Sequence, residues 1–345
     1  MARTPVLTFT DRGIFCPDGG FYIDPWRPAD RALITHGHSD HARPGHGHYL
    51  CTHQAAPVIR HRLGPVRLEM IAYGEVRRIG GVTVSFHPAG HVPGSAQIRV
   101  ERDGEVWVVS GDYKIDADGL SEPFVPVTCH TFISECTFGL PVFSWEPQEA
   151  VLAQINRWWA ANAADGRISI LGAYALGKAQ RILSGLDPDI GPILTHGAVE
   201  ATTKVLRTQG YALPETVPVM AAVGAKSHPR AIVIAPPSAE ATPWANRFGP
   251  TAAAAFASGW MRLRGVRRRR GAETGFVLSD HADWPGLNAA IRATGAERVF
   301  VTHGYTTVFR RWLESQGYDA GIVQTEYEGE GFDAAPPGVP EGGIE

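Results

Sequence analysis

Cysteine is scarce in this chain of 345 residues, and long apolar runs are missing altogether. The four cysteines, Cys16, Cys51, Cys129 and Cys136, show no Cys-x-x-Cys spacing and are too few for a disulfide framework at this length. They read as reduced thiols in the cytoplasm. No apolar stretch is long enough to span a bilayer, and Met1 to Thr10 lacks the apolar segment and small-residue cleavage site of a signal peptide. Strong charge of one sign is lacking too. A formal net charge of -3 exerts no global pull on a polyanion, so nucleic-acid binding would need a local basic surface.

What is present is an ordinary 44% of hydrophobic residues, enough for one large domain or two smaller ones. From Val6 to about Leu140, short β-branched runs are cut by Gly, Pro and Asp with little helical periodicity, the pattern of stacked antiparallel strands. Ala96 to Glu101 and Glu105 to Ser110 flank Asp103-Gly104, which predicts a hairpin delivering Asp112. After Phe143 the pattern turns to β/α alternation, with a helix over Glu146 to Ala164, a strand at Arg167 to Leu171 and a helix near Leu176 to Leu186. Strands follow at Ile193 to Thr195 and Ala231 to Ala235, and together these predict an inserted domain. Beyond Gly275, strand and loop recur twice, at Phe276 to Leu278 and Val299 to Thr302, each followed by a helix (Trp284 to Ala293, Thr307 to Gln316). The Gly-, Pro- and acid-rich end, 331–345, is expected to be poorly ordered.

Most of the 14 histidines must have ordinary surface or core roles, but Thr-His-Gly-His-Ser-Asp-His at 35 to 41 places four ligand-type residues in six positions after an apolar strand. His36 and His38, two apart, can face one metal, and Asp40 and His41 a second. Imidazole with carboxylate suits zinc or manganese, and a dinuclear hydrolytic site needs about seven such ligands. The other candidates are His91 in a loop after the strand Val82 to Phe86, Asp112 just past Ser110-Gly111, and His303 at the end of an apolar strand.

With His91 and Asp112, the cluster resembles the metallo-β-lactamase superfamily, which implies an α/β chain folded as an αββα sandwich. Asp24, in Phe-Tyr-Ile-Asp-Pro, is similar to that family's first acidic motif, where the acid supports the metal loop; a plain turn aspartate before Pro25 is the other reading. Ile-Ser-Glu-Cys-Thr-Phe-Gly at 133 to 139, Ser-Asp-His-Ala-Asp at 279 to 283 and Val-Thr-His-Gly at 301 to 304 resemble motifs A, B and C of the β-CASP branch, which acts on nucleic acids. The resemblance implies a metallo-β-lactamase domain over 1–139, a compact inserted β-CASP α/β cap over 140–274 and a return of the first domain over 275–330. It further implies two divalent ions, zinc or manganese. Asp40, His41, Asp112 and His303 would hold one, and His36, His38, His91 and Asp112 the other, with a hydroxide between them as nucleophile. His281 would then be the general acid, oriented by Glu135, unless the two form only a structural salt bridge.

Gly-Ala-Tyr-Ala-Leu-Gly-Lys-Ala-Gln-Arg at 172 to 181 resembles a signature of that cap and could bring backbone N–H groups and Lys178 near a phosphate. Six arginines between Trp260 and Arg270, namely Arg262, Arg264, Arg267, Arg268, Arg269 and Arg270, form the densest positive run and suggest a basic wall for phosphates. Met261 and Leu263 alternating with Arg262 and Arg264 also fit a strand with one solvated face. His at motif C favours RNA-processing relatives. The compact cap, with Leu-Ser-Asp-His-Ala-Asp-Trp-Pro-Gly, looks most like bacterial ligase-associated DNA exonucleases, implying DNA damage repair beside a DNA ligase and a helicase. The expected function is therefore a metal-dependent DNA exonuclease. An RNA 3′-end-processing nuclease is the runner-up, and a small-molecule metallo-hydrolase or a non-catalytic binding subunit come behind.

Overall fold

The computed structural model describes residues 5–219, 228–240, 242–269 and 274–325; the tail 331–345 lies outside the described residues. They form two compact units, one of 5–144 with 281–325 and one of Trp145–Asp280.

The first unit holds two sheets. One runs in chain order through Thr8–Thr10, Gly13–Cys16, Phe21–Ile23, Ala32–Leu33, Tyr49–Thr52 and Leu68–Ile71. The other is ordered Asp319–Ile322, Arg298–Thr302, Thr131–Glu135, Glu105–Val109, Ala96–Arg102, Val82–Pro88 and Val76–Ile79. The predicted hairpin is there, with Asp103 and Gly104 at φ 52° and 83°, the left-handed pair that a tight two-residue turn requires.

The expectation of purely antiparallel stacking is corrected. From Phe21–Ile23 onward the first sheet pairs in parallel, and Thr131–Glu135 is parallel to both of its neighbours. A parallel pair needs a crossover, and the helix Ala56–Leu63 provides one between Tyr49–Thr52 and Leu68–Ile71. That helix has only two turns, too few to display a helical period in the sequence.

Alternation along the strands assigns the faces. Trp107 and Val109 turn inward with Val84, Phe86, Ile98 and Val100 and meet Phe21, Ile23, Leu33 and Leu50 of the first sheet in one buried cluster. Val106 and Val108 turn the other way, onto Leu287 and Ile291 of the helix Trp284–Thr294 and Phe309 and Leu313 of the helix Thr306–Ser315. The first sheet packs its outer face on Ala56 and Ile59. Strands covered on both faces read as continuous apolar runs, and each fully buried large side chain contributes roughly 1.5–3 kcal/mol.

The second unit is built on a six-stranded parallel sheet, ordered Val217–Pro218, Ile193–Thr195, Ile232–Ala235, Ser169–Gly172, Ala253–Ala257 and Thr274–Phe276. Its helices include Gln148–Ala164, Lys178–Leu183 and Gly197–Thr208. The arginine run is not a strand here. Ser258 Oγ accepts from Trp260 N and starts a helical turn, Gly259–Arg262, followed by the helix Arg264–Arg269.

Candidate metal centre

Sheet topology explains how distant residues converge. Glu105–Val109, Thr131–Glu135 and Arg298–Thr302 are adjacent and parallel, with Val109 opposite Ile133 and Glu135 opposite Thr302. Asp112, Glu135 and His303 therefore leave the same ends of three neighbouring strands, where ligands gather in parallel sheets. Val82–Pro88 points the same way and leads to His91, while Ala32–Leu33 of the other sheet leads to the loop 35–41. Gly111, at φ 57°, lets that turn press against Thr35, since a Cβ there would sit 2.7 Å from the threonine side chain. His303 itself has φ 58° and is followed by Gly304 at φ 69°, whose Cβ would lie 2.5 Å from the Cys136 carbonyl oxygen.

Nine side chains of the first unit meet there in three groups: His36, His38, His91 and Asp112; Asp40, His41 and His303; and Asp112, Glu135 and His281. In the first group, His38 Nδ1 is 3.1 Å from both His36 Nε2 and His91 Nε2, and Asp112 Oδ2 lies 3.6 and 3.8 Å from those two nitrogens. Asp112 Oδ2 is 3.4 Å from His41 Nε2, its Oδ1 is 3.9 Å from His303 Nδ1, and Asp40 Oδ2 is 3.8 Å from His41 Nε2.

These separations test whether metal fits. Ligands about 2.0–2.2 Å from one tetrahedral ion lie roughly 3.3–3.6 Å from each other, close to the edges measured here. Asp112 Oδ1 is buried without a hydrogen bond among the described residues, as suits an oxygen shared with a cation. The donor set fits divalent metal ions, and Asp112 lies within 3.9 Å of imidazole nitrogens from both of the first two groups.

The electrostatics agree. Burial, then repulsion from His41 and His91, pushes His36 well below its ordinary range, and burial lowers His303. Both imidazoles are thereby biased toward the neutral form, the one that binds metal. Burial alone would raise Asp112, but His41, His281 and His303 outweigh it and hold the carboxyl well below its usual range. Burial likewise opposes ionisation of Asp40, yet His41 keeps it lowered. Burial disfavours a charged His41, but Asp112 and Asp40 overcome it and raise this imidazole well above its ordinary value. Asp112, buried, and Asp40, partly buried, thus draw positive charge toward His41.

Further contacts fix these side chains. Asp24, at φ 42°, accepts from Thr35 N at 2.8 Å and from Thr35 Oγ1 at 2.5 Å, and its Oδ2 is 2.8 Å from His41 Nδ1, so Nε2 of His41 faces the cluster. Glu135, fully buried, lies 2.9 and 2.8 Å from His281 Nδ1 through its two oxygens and accepts from Tyr113 N. Nothing in the sequence singles out Arg62, yet its Nη1 donates to the carbonyl oxygens of Gly37 at 2.6 Å and Ala42 at 3.5 Å, spanning the ligand loop.

Other histidines have local tasks: His46 accepts from Ala29 N, His130 from Val106 N, and His196 caps the helix Gly197–Thr208. Lys178 has an acidic and an aromatic neighbour within its own unit. It is fully buried, with Nζ 3.7 Å from Asp280 and 4.8 Å from the Tyr174 ring centre. Arg262 and Arg264 are exposed; Arg267, Arg268 and Arg269 continue the helix, and Arg270 lies outside the described residues.

No protein-family model matches the chain. It is 31% identical over 335 residues to a protein of Opitutus terrae named "Probable DNA ligase", covering 96% of this chain and 32% of that one. An RNase J-like protein of Methanocaldococcus jannaschii is 26% identical over 52% of this chain and 50% of its own length, and a ribonuclease of Thermus thermophilus is 25% identical over 47% and 44%. The chain thus spans a third to a half of these relatives. A solved structure of a protein of unknown function from Enterococcus faecalis V583 is similar in fold, with a TM-score of 0.58 at 11% identity over 86% of this chain and 79% of that one. Distant acids and histidines that converge in this way, together with ribonucleases among the relatives, support a likeness to the β-CASP branch of the metallo-β-lactamase superfamily.

Proposed function

We propose that the chain is a metal-dependent phosphodiesterase that degrades nucleic acid, most specifically a DNA exonuclease. The observation that carries this reading is Asp112, in one group with His36, His38 and His91 and 3.4 and 3.9 Å from His41 and His303 of the other, beside a buried Glu135–His281 pair. The first unit is then the metallo-β-lactamase sandwich and Trp145–Asp280 the β-CASP cap. His36, His38, His91 and Asp112 would hold one divalent ion and Asp40, His41, Asp112 and His303 the other. When bound, such a pair, zinc or manganese, supplies an activated water and neutralises charge on the phosphoryl group.

The residues themselves do the rest. Glu135 takes the Nδ1–H of His281, which fixes the ring and favours its protonated form. The Nε2 proton then passes to the departing oxygen as the phosphorus–oxygen bond breaks. Asp24 orients His41 in the same manner.

DNA as substrate is supported by similarity to a protein named as a DNA ligase, and it extends to a role in DNA repair beside a ligase and a helicase. The ribonuclease relatives favour RNA 3′-end processing as a second reading. Digestion of end-labelled DNA and RNA strands of one sequence with zinc or manganese, against Asp40→Ala, separates them. Stepwise shortening of DNA is expected. Cleavage of RNA alone establishes the second reading, and no cleavage of either removes both.

A further inference from the structure

Arg62 is a second point at which the ligand loop meets charge. It lies on the helix Ala56–Leu63 and is half-buried, and its Nη1 is committed to the Gly37 and Ala42 carbonyls. Gly37 stands between His36 and His38, so the guanidinium lies against the ligand loop itself. Its Nε and Nη2 donate no hydrogen bond among the described residues, and neither is a buried unsatisfied atom. An arginine tied down at one nitrogen has lost most of its rotamer freedom, and its remaining N–H groups keep the planar fork that matches two phosphate oxygens. Burial pushes the guanidinium below its ordinary value, and the nearby Asp40 offsets part of that effect.

We infer that Arg62 binds a phosphate of the substrate strand through its open N–H groups while its Nη1 holds the ligand loop. The inference rests on the nucleic-acid reading above and adds a contact outside the metal ligands and the Glu135–His281 pair. It also moves the search for phosphate contacts from the arginine run of the second unit to a single residue of the first.

The test compares Arg62→Met and Arg62→Lys with the parent chain, measuring metal content and the KM for a single-stranded DNA oligonucleotide at several salt concentrations. Arg62→Met is expected to retain its metal, raise KM about tenfold and flatten the dependence of log KM on log salt by about 0.7, the value of one lost contact on a single strand. Arg62→Lys, which keeps charge and reach, is expected to retain the parent slope and to guard against a folding artefact. An unchanged slope in Arg62→Met overturns the inference. So does loss of metal from Arg62→Met with recovery of the parent KM and slope in excess metal, because Arg62 would then only anchor the loop. If the parent chain cleaves no nucleic acid, the functional reading fails and takes this inference with it; if it cleaves with an unchanged variant, only the inference fails.

Discussion

Glu135 grips the Nδ1 of His281 with both carboxylate oxygens, at 2.9 and 2.8 Å, although the two residues are 146 positions apart in the chain. An imidazole held this way has a single orientation and a stabilised positive charge. His281→Ala is therefore expected to retain its metals and lower kcat by roughly 10²–10⁴-fold, the usual worth of a positioned acid. Metal analysis beside single-turnover kinetics checks it, and full turnover by a metal-replete His281→Ala would remove the acid role.

Asp24 ties Thr35 and His41 together from beneath the ligand loop. Asp24→Ala should weaken metal affinity by about 10–100-fold while leaving every ligand in place. Competition with a calibrated chelator measures it; an affinity equal to the parent's would mean that Asp24 is only a turn residue.

Gly304 sits at φ 69°, with the Cys136 carbonyl oxygen and Thr137 Cα both 2.5 Å from the position of a Cβ. Gly304→Ala must strain the left-handed backbone and push His303 away from Asp112. A loss of about 1–3 kcal/mol in urea unfolding is expected, together with reduced metal occupancy. A variant with the parent midpoint would show that the loop yields freely.

Burial pushes the thiols of Cys51 and Cys129 up to about 12 and that of Cys16 to about 11. At pH 8 the folded chain should thus hold these thiols protonated and react slowly with thiol reagents, whereas in denaturant all four cysteines should react. The sign for stability follows. An acid raised in the fold favours the fold below the unfolded thiol value, near 8.5, and that advantage fades as pH climbs toward the folded values. Unfolding midpoints should fall above about pH 9; a flat profile to pH 11 would contradict this.

The ligand loop was legible because four donors in six positions leave a local mark, and the Asp103-Gly104 turn because its dipeptide dictates positive φ. The parallel pairing was not, since alternation along a strand carries no information about the direction of its neighbour. The surroundings of Lys178 were hidden for a related reason: a lysine after a Gly-rich loop looks solvated, and only the fold reveals Asp280 beside it. Arg62 left no mark in the sequence, because its tie to Gly37 spans 25 positions.

The shared strand ends beneath Asp112, Glu135 and His303 also govern how the site moves. Hydrogen bonding sets neighbouring strands about 4.8 Å apart, so slow flexing of the sheet carries these three anchors as a single rigid comb. Relative movement of the three side chains then depends on the turns at those strand ends and on the side chains' own torsions.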